Sequence, residues 1–277
     1  MTRIPALCLI TCLLVCPGAS FAFQAEVFPQ EISPGDSFLI TVHQQDEAPE
    51  VFFGGRRFYF SDCGEGCFIA VGAADLDTKP GEYTVTLRQG ETEEALRLRV
   101  KEASFPTIRL TLPPSKVFVS LKDLKRVERE NEKLSLIWQT VSGRLWDGSF
   151  ILPLGNEISS AFGTMRIMNG KKKSVHTGID IRGKAGEEVR ASNTGVVVLS
   201  EELFFGGNTV VIDHGQGIFS VCMHLKKFNS GVGDIVKKGD VIGFVGSTGR
   251  ADGPHLHFGI KVLDINTNPV SFIGLKM

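Results

Sequence analysis

The chain has 277 residues, with 30 basic and 31 acidic side chains, and 42% of it is hydrophobic. The length suits about two domains. The near-zero charge excludes a sequence-independent nucleic-acid binder, which needs a basic face, and the 20 Phe exclude a disordered chain. Two residue types are unevenly spread. Three of the six cysteines are Cys8, Cys12 and Cys16, and five of the six histidines fall between His176 and His257.

Residues 1–22 read as a signal peptide. Arg3 supplies a positive start, Ile4 to Cys16 an apolar stretch, and Ser20-Phe21-Ala22 small residues at the cleavage position. The stretch is shorter than the roughly 20 residues that span a bilayer, and no later segment is apolar enough to cross one. Bulky Val15 disfavours lipid attachment at Cys16. Export to the periplasm or cell envelope is therefore expected. In such an oxidising compartment Cys63 and Cys67 are placed to close a small disulfide loop. Cys222, within the apolar run Ile218 to Met223, reads as a buried thiol.

Residues 23–103 predict about seven short strands. Phe38, Ile40 and Val42 share one strand face, as do Tyr83, Val85 and Leu87, and Leu96, Leu98 and Val100. Pro34-Gly35-Asp36 and Pro80-Gly81-Glu82 mark turns. This is the size and pattern of an immunoglobulin-like β-sandwich. His43, alone at a strand end, reads as a surface residue.

A linker, residues 104–149, follows. Its first part, Phe105 to Pro114, reads as a proline-bounded connector. A helix is expected over about Leu121 to Val141, with Ser120 as N-cap and Asp123 three residues on. Leu121, Leu124, Val127, Leu134, Ile137 and Val141 form an apolar stripe that predicts docking on one of the domains. The charged run Lys122 to Lys133 reads as a solvated face.

From 150 to 277 the pattern is again all-β. Strands are expected at Val189 to Ala191, Gly195 to Ser200, Thr209 to Asp213, Ile218 to His224, Val241 to Val245 and Leu256 to Val262. Gly186-Glu-Glu-Val189 and Gly233-Asp-Ile-Val236 echo one another. Gly233 to Asp240 also looks like a hairpin of lipoyl or biotinyl carrier domains. Those need a modifiable lysine in a tight acidic turn, and none is present.

The histidines form a pattern of their own: His176-Thr-Gly-Ile-Asp180, then His214, His224 and His255-Leu-His257. Imidazole and carboxylate suit zinc, and catalytic sites use three protein ligands with one open position. In His255-Leu256-His257 both rings sit at strand period and face one side. His176 and Asp180 would lie roughly 13 Å apart if extended. Sharing one metal therefore requires a bend, which Gly178 is placed to permit. His214 reads as structural.

Ser159 to Val262 resembles the lysostaphin-type (LytM-type) zinc metallopeptidases, which cut peptide bonds in bacterial peptidoglycan. The matching residues are Ser160-Ala-Phe-Gly163 with Arg166, His176-Thr-Gly-Ile-Asp180-Ile181, Val211-Ile-Asp-His-Gly215, Met223-His-Leu225, Gly246-Ser-Thr-Gly249 and Pro254-His-Leu-His-Phe258. Cys222 stands where relatives usually have tyrosine. The resemblance implies a C-terminal antiparallel β metallopeptidase domain with a duplicated hybrid motif. It implies one zinc per chain on His176, Asp180 and His257, with His224 and His255 beside it as catalytic histidines. There is no His-Glu-x-x-His helix to supply a glutamate base. A histidine takes that role, and which of the two remains open in the sequence.

The expected activity is an exported endopeptidase acting on peptidoglycan stems or cross-links. The alternative is a silent activator or wall-binding protein of the same fold, as some relatives have become, though those have lost ligands that this chain keeps. Lys171 to Lys173 could greet a stem carboxylate or be a solvated turn. The N-terminal domain is free to bind the wall or a divisome or other regulatory protein.

Overall fold

The computed structural model describes residues 24–111 and 118–277. The signal segment and the connector's Pro113 and Pro114 lie outside the described residues. Nine strands come first: β1 (Gln24–Phe28), β2 (Glu31–Ile32), β3 (Ser37–His43), β4 (Glu50–Phe53), β5 (Arg56–Phe58), β6 (Ser61–Gly64), β7 (Cys67–Ala73), β8 (Gly81–Gln89) and β9 (Thr92–Val100). They form two sheets, in the orders β1-β3-β7-β6 and β2-β9-β8-β4-β5. The alternating residues explain the packing. Phe38, Ile40 and Val42 of one sheet, and Val85, Leu87, Leu98 and Val100 of the other, are all buried. Phe38 meets Phe53 of the opposite sheet edge-on at 5.0 Å. The sequence expectation of about seven strands is low because β2 and β5 are too short to show any alternation. Cys63 and Cys67 are joined by a disulfide across the β6–β7 turn, and Cys222 is a buried free thiol that burial pushes up to about 12.

The connector differs from expectation. Thr107–Leu110 is a strand, β10, and pairs in parallel with β12 (Met165–Met168), which in turn pairs with β13 (Lys172–Val175). The proline-flanked sequence hides it, because a four-residue edge strand needs only one paired side.

Helix α1 spans Leu121–Trp138 and stops three residues short of Val141. The Trp138 ring seats edge-on against Phe219 at 5.2 Å. The chain then turns so that Ser142 Oγ donates to Asp213 Oδ2 at 2.8 Å. The stripe docks only through its C-terminal half. Leu134, Ile137 and Trp138 pack on Leu199, Leu203, Val211, Phe219 and Val221, whereas Leu121 is 87% exposed. The charged face is partly engaged: Glu130 accepts from the Phe204 backbone N–H, and Lys133 pairs with Glu201.

The remaining strands are β11 (Ile158–Ser160), β14 (Ile179–Arg182), β15 (Glu188–Arg190), β16 (Gly195–Leu203), β17 (Gly207–Gly215), β18 (Ile218–Phe228), β19 (Ile235–Val236), β20 (Val241–Val245), β21 (His255–Val262) and β22 (Ile265–Thr267), followed by helix α2 (Pro269–Ile273). The main path is β11-β14-β21-β18-β17-β16-β19, with β15 on β20, β20 on β18 and β22 on β21. The fold is all-β, as expected. The sequence echo is also structural. Gly186 and Gly233 share φ near +92°, at 92° and 93°. In each turn the acid after the glycine accepts from an earlier backbone N–H, Glu187 from Lys184 and Asp234 from Gly231. Only glycine adopts that φ without strain.

The two β-units share one hydrophobic core running from Val27 to Leu275. Their seam is polar as well. Thr267 Oγ1 and the Asn268 N–H both donate to Gly35 O, and Asn268 Nδ2 donates to Asp36 Oδ1.

His214 is fully buried. Its Nδ1–H donates to Thr194 O at 2.9 Å, and Ser220 Oγ donates to its Nε2 at 2.8 Å. Burial pushes this imidazole down to about 4 from 6.5. Between those values the unfolded chain takes up a proton that the folded chain refuses, so stability falls as pH drops from about 6.5 to about 4. The loss should approach about 3 kcal/mol. In denaturant titrations of the metal-free protein, His214→Asn should start less stable at pH 7.5 but lose less on acidification. Equal losses in the two proteins would refute this.

Candidate functional site

Four adjacent strands assemble the site. Register pairs Ser160 of β11 with Asp180 of β14, Asp180 with His257 of β21, and His257 with Met223 of β18. His176 follows β13. The bend between His176 and Asp180 is real, but Gly178 serves it differently from expectation. Its φ lies outside the left-handed region, and a Cβ there would overlap the Phe258 carbonyl oxygen and crowd the His257 ring. The glycine supplies room for close approach rather than an unusual φ.

His176 Nε2 lies 2.9 Å from Asp180 Oδ1 and 3.0 Å from His257 Nδ1, and His257 Nδ1 lies 2.9 Å from Asp180 Oδ1. All three residues are largely buried. The His176 Nδ1 is 2.9 Å from Ala161 O. A carbonyl only accepts, so Nδ1 carries the hydrogen and Nε2 presents a lone pair. Burial pushes His257 down, towards the neutral form. Two imidazole nitrogens and a carboxylate oxygen thus converge on one point, where a cation could be shared. Two neutral imidazoles and one carboxylate are a donor set that fits zinc.

His224 and His255 stand beside this triangle, their ring centres 4.9 Å apart. The His224 Nδ1–H donates to Thr248 O at 2.9 Å and the His255 Nδ1–H to Gly253 O at 2.8 Å. Each ring is thereby left with an Nε2 lone pair. The His255 Nε2 is 3.9 Å from Asp180 Oδ1. Burial pushes His224 down to about 4, so it is neutral at pH 7. His224 also has φ 65°, a costly conformation for a non-glycine residue. There β18 stops pairing with β21 at Met223 and takes up β20 at Leu225. Backbone strain at this point turns the strand and carries the imidazole with it.

All five residues line one cleft of about 720 Å³. None of Lys171, Lys172 and Lys173 lines it. Two contributors were not legible as such in the sequence. Arg166 donates from one nitrogen to Asp180 Oδ2 at 2.7 Å and to Ser160 Oγ at 3.2 Å. Its presence in the motif is visible in the sequence, but its partner is not. Pro106, Ile108 and Leu110, around β10, also line the cleft; the one available signal was the alternation of apolar residues across Ile108 and Leu110.

Arg166 fixes which carboxylate oxygen turns to the histidines. Outer partners of metal ligands typically contribute 10–100-fold to metal affinity. Arg166→Ala is therefore expected to weaken zinc binding by about 10–100-fold in a chelator competition titration, and Arg166→Lys by less. Unchanged affinity in Arg166→Ala would remove this role.

The model of peptidase family M23 matches residues 174–271. A DD-carboxypeptidase/endopeptidase, Mpg, of Neisseria meningitidis serogroup B is 44% identical over 97 residues, which is 35% of this chain and 22% of that protein. The peptidoglycan DD-endopeptidase ShyA of Vibrio cholerae is 39% identical over 106 residues, 38% of this chain and 25% of its own length. The chain thus spans about a quarter of these curated relatives. A crystal structure of a Pseudomonas aeruginosa protein assigned to peptidase M23 is similar over far more. It is 30% identical with a TM-score of 0.70, covering 87% of this chain and 95% of the other. With likeness over nearly the whole of that structure, and the family's matched segment holding the His-Asp-His triangle, the chain belongs to peptidase family M23.

Proposed function

We propose that this protein is an exported zinc endopeptidase that hydrolyses peptide bonds in peptidoglycan stems or cross-links. The observation that carries the reading is the convergence of His176, Asp180 and His257 within about 3 Å of one another, with two further imidazoles on the same cleft. The names of the relatives, DD-endopeptidases among them, supply the substrate class. The disulfide between Cys63 and Cys67 suits an oxidising compartment such as the periplasm. In this reading residues 150–277 are the peptidase domain, 104–149 the connector and 23–103 an accessory β-domain.

His176, Asp180 and His257 would hold one zinc ion. Bound there, zinc supplies Lewis acidity, acidifying water and polarising a carbonyl. The protein's own groups do the rest. Arg166 steers Asp180, and the Ala161 carbonyl fixes the tautomer of His176. His224 and His255 each keep Nδ1 protonated on a backbone carbonyl and offer Nε2 to the cleft. One of them accepts the proton released by attacking water. The other, once protonated, donates to oxygen bearing developing charge. The burial that lowers His224 favours it as the neutral acceptor.

The test is mass spectrometry of fragments released from purified peptidoglycan by the zinc-loaded protein. New peptide termini are expected, and their masses identify the bond. Zinc-loaded protein that releases no fragment at high concentration would overturn the enzymatic reading in favour of an activator.

A further inference from the structure

The family's matched segment, residues 174–271, supplies four of the cleft's five chemically active side chains on strands and one just before β14. One side of the same cleft lies far outside that segment, in the connector. Pro106, Ile108 and Leu110 line the cavity that holds His176, Asp180, His224 and His255.

The register fixes which way they face. In the parallel pair, Ile108 stands opposite Arg166 and Leu110 opposite Met168. Alternate residues of a strand share a face, so Pro106, Ile108 and Leu110 are set on one side and Thr107 and Arg109 on the other. Arg166 reaches from this sheet to Asp180, which identifies the cleft side. Ile108 is 38% exposed there.

The strand is firmly seated. Met165 N–H donates to Pro106 O and Asn169 N–H to Leu110 O, both at 2.8 Å. The Phe105 ring occupies the space that a side chain at Gly163 would need. This is a fixed wall on a rigid element, which holds a contact surface more accurately than a loose loop.

We propose that β10 is the substrate-contacting wall of the cleft, where Ile108 and Leu110 receive an aliphatic side chain of the peptide flanking the scissile bond. This rests on the reading of the cleft as a peptidase site. The wall made by Pro106, Ile108, Leu110 and Ala161 is apolar; Arg166, opposite Ile108, also lines the cleft but is held on Asp180, and Arg250 and Asp252 are among the other lining residues. A basic substrate side chain at β10 would lose its water and face Arg166, and an acidic one would compete with Asp180 for that guanidinium, so this position favours an aliphatic side chain.

The experiment uses the whole exported chain, zinc-loaded, with purified cross-linked muropeptides. Leu110→Glu, and at the position opposite Arg166 the uncharged Ile108→Asn, should raise KM by about 10- to 100-fold, the range one side-chain pocket contributes, with kcat and zinc content little changed. Ile108→Val should restore KM. Thr107→Glu, on the opposite face, should behave as wild type and controls for disturbance of the strand. The dissociation constant of the uncleaved muropeptide, measured on His255→Ala with and without Leu110→Glu, should move by the same factor. Unchanged KM in both variants, with an unchanged dissociation constant in Leu110→Glu, would overturn the proposal. Faster turnover in them would also overturn it, by showing that β10 obstructs the cleft. Wild-type protein that binds muropeptide without cutting it sinks the peptidase reading alone, and the binding titration still decides the wall. Failure to bind at all sinks both.

Discussion

Zinc and hydrolytic activity are expected to disappear together when His176 or His257 is replaced by Ala, or Asp180 by Asn. Each histidine change removes one of three atoms that lie about 3 Å from one another, and Asn leaves only a neutral oxygen at the third. Since losing an outer partner alone costs roughly 10–100-fold in affinity, losing a ligand should exceed about 100-fold. Asp180→Asn keeps the shape but removes the negative charge and leaves Arg166 facing a neutral amide. A chelator should reproduce the loss in the wild type, and added zinc should reverse it. The protein should also melt at a lower temperature without metal, because an ion that binds only the folded chain stabilises it. Metal analysis, activity and melting on the same samples check this. A variant at any of the three positions that keeps full zinc occupancy would break the proposed ligand set.

The second result separates two kinds of histidine. His224→Ala and His255→Ala are expected to lower kcat/KM by about 10²- to 10⁴-fold, the usual range for a general acid or base, with zinc still at one per chain. The reason lies in the hydrogen bonds. Both rings give Nδ1–H to carbonyls on neighbouring loops, Thr248 and Gly253, and neither belongs to the His-Asp-His triangle. His224→Ala should also lower stability, although the backbone φ of 65° gives no relief. Alanine has no better claim to that conformation than histidine, so the strain remains while the Thr248 bond is lost. If His255→Ala emerged without zinc, the division of roles would fall.

Much of this architecture is legible in the chain. Alternation at Phe38-Ile40-Val42 and at Leu96-Leu98-Val100 predicts strands, because one face of each must be buried and period two is the simplest record of it. The Gly186 and Gly233 turns are equally local, each needing one glycine and one following acid. Strand β10 is not legible. Four residues between prolines give too little pattern, and its partner β12 lies more than fifty residues further along. The half-engaged face of α1 is hidden for the same reason. Whether Lys133 and Glu130 are solvated depends on Glu201 and Phe204, which the helix meets only in the fold.

The site divides along the same line. His255-Leu-His257 carries its geometry in its spacing, and His176 with Asp180 needs only one bend. The clustering of late histidines, together with the order of motifs around them, is enough to single out the family and five candidate side chains that the fold brings to one cleft. Residue type and local period are thus written in the order of the amino acids. The tertiary structure alone decided direction: which ring nitrogen is bonded to Ala161, Thr248 or Gly253, that Arg166 holds one oxygen of Asp180, that Gly178 is there for space, and that the connector walls the cleft. Those are contacts between residues distant along the chain. Their atoms are brought together by sheet register and core packing, which no short window of sequence records.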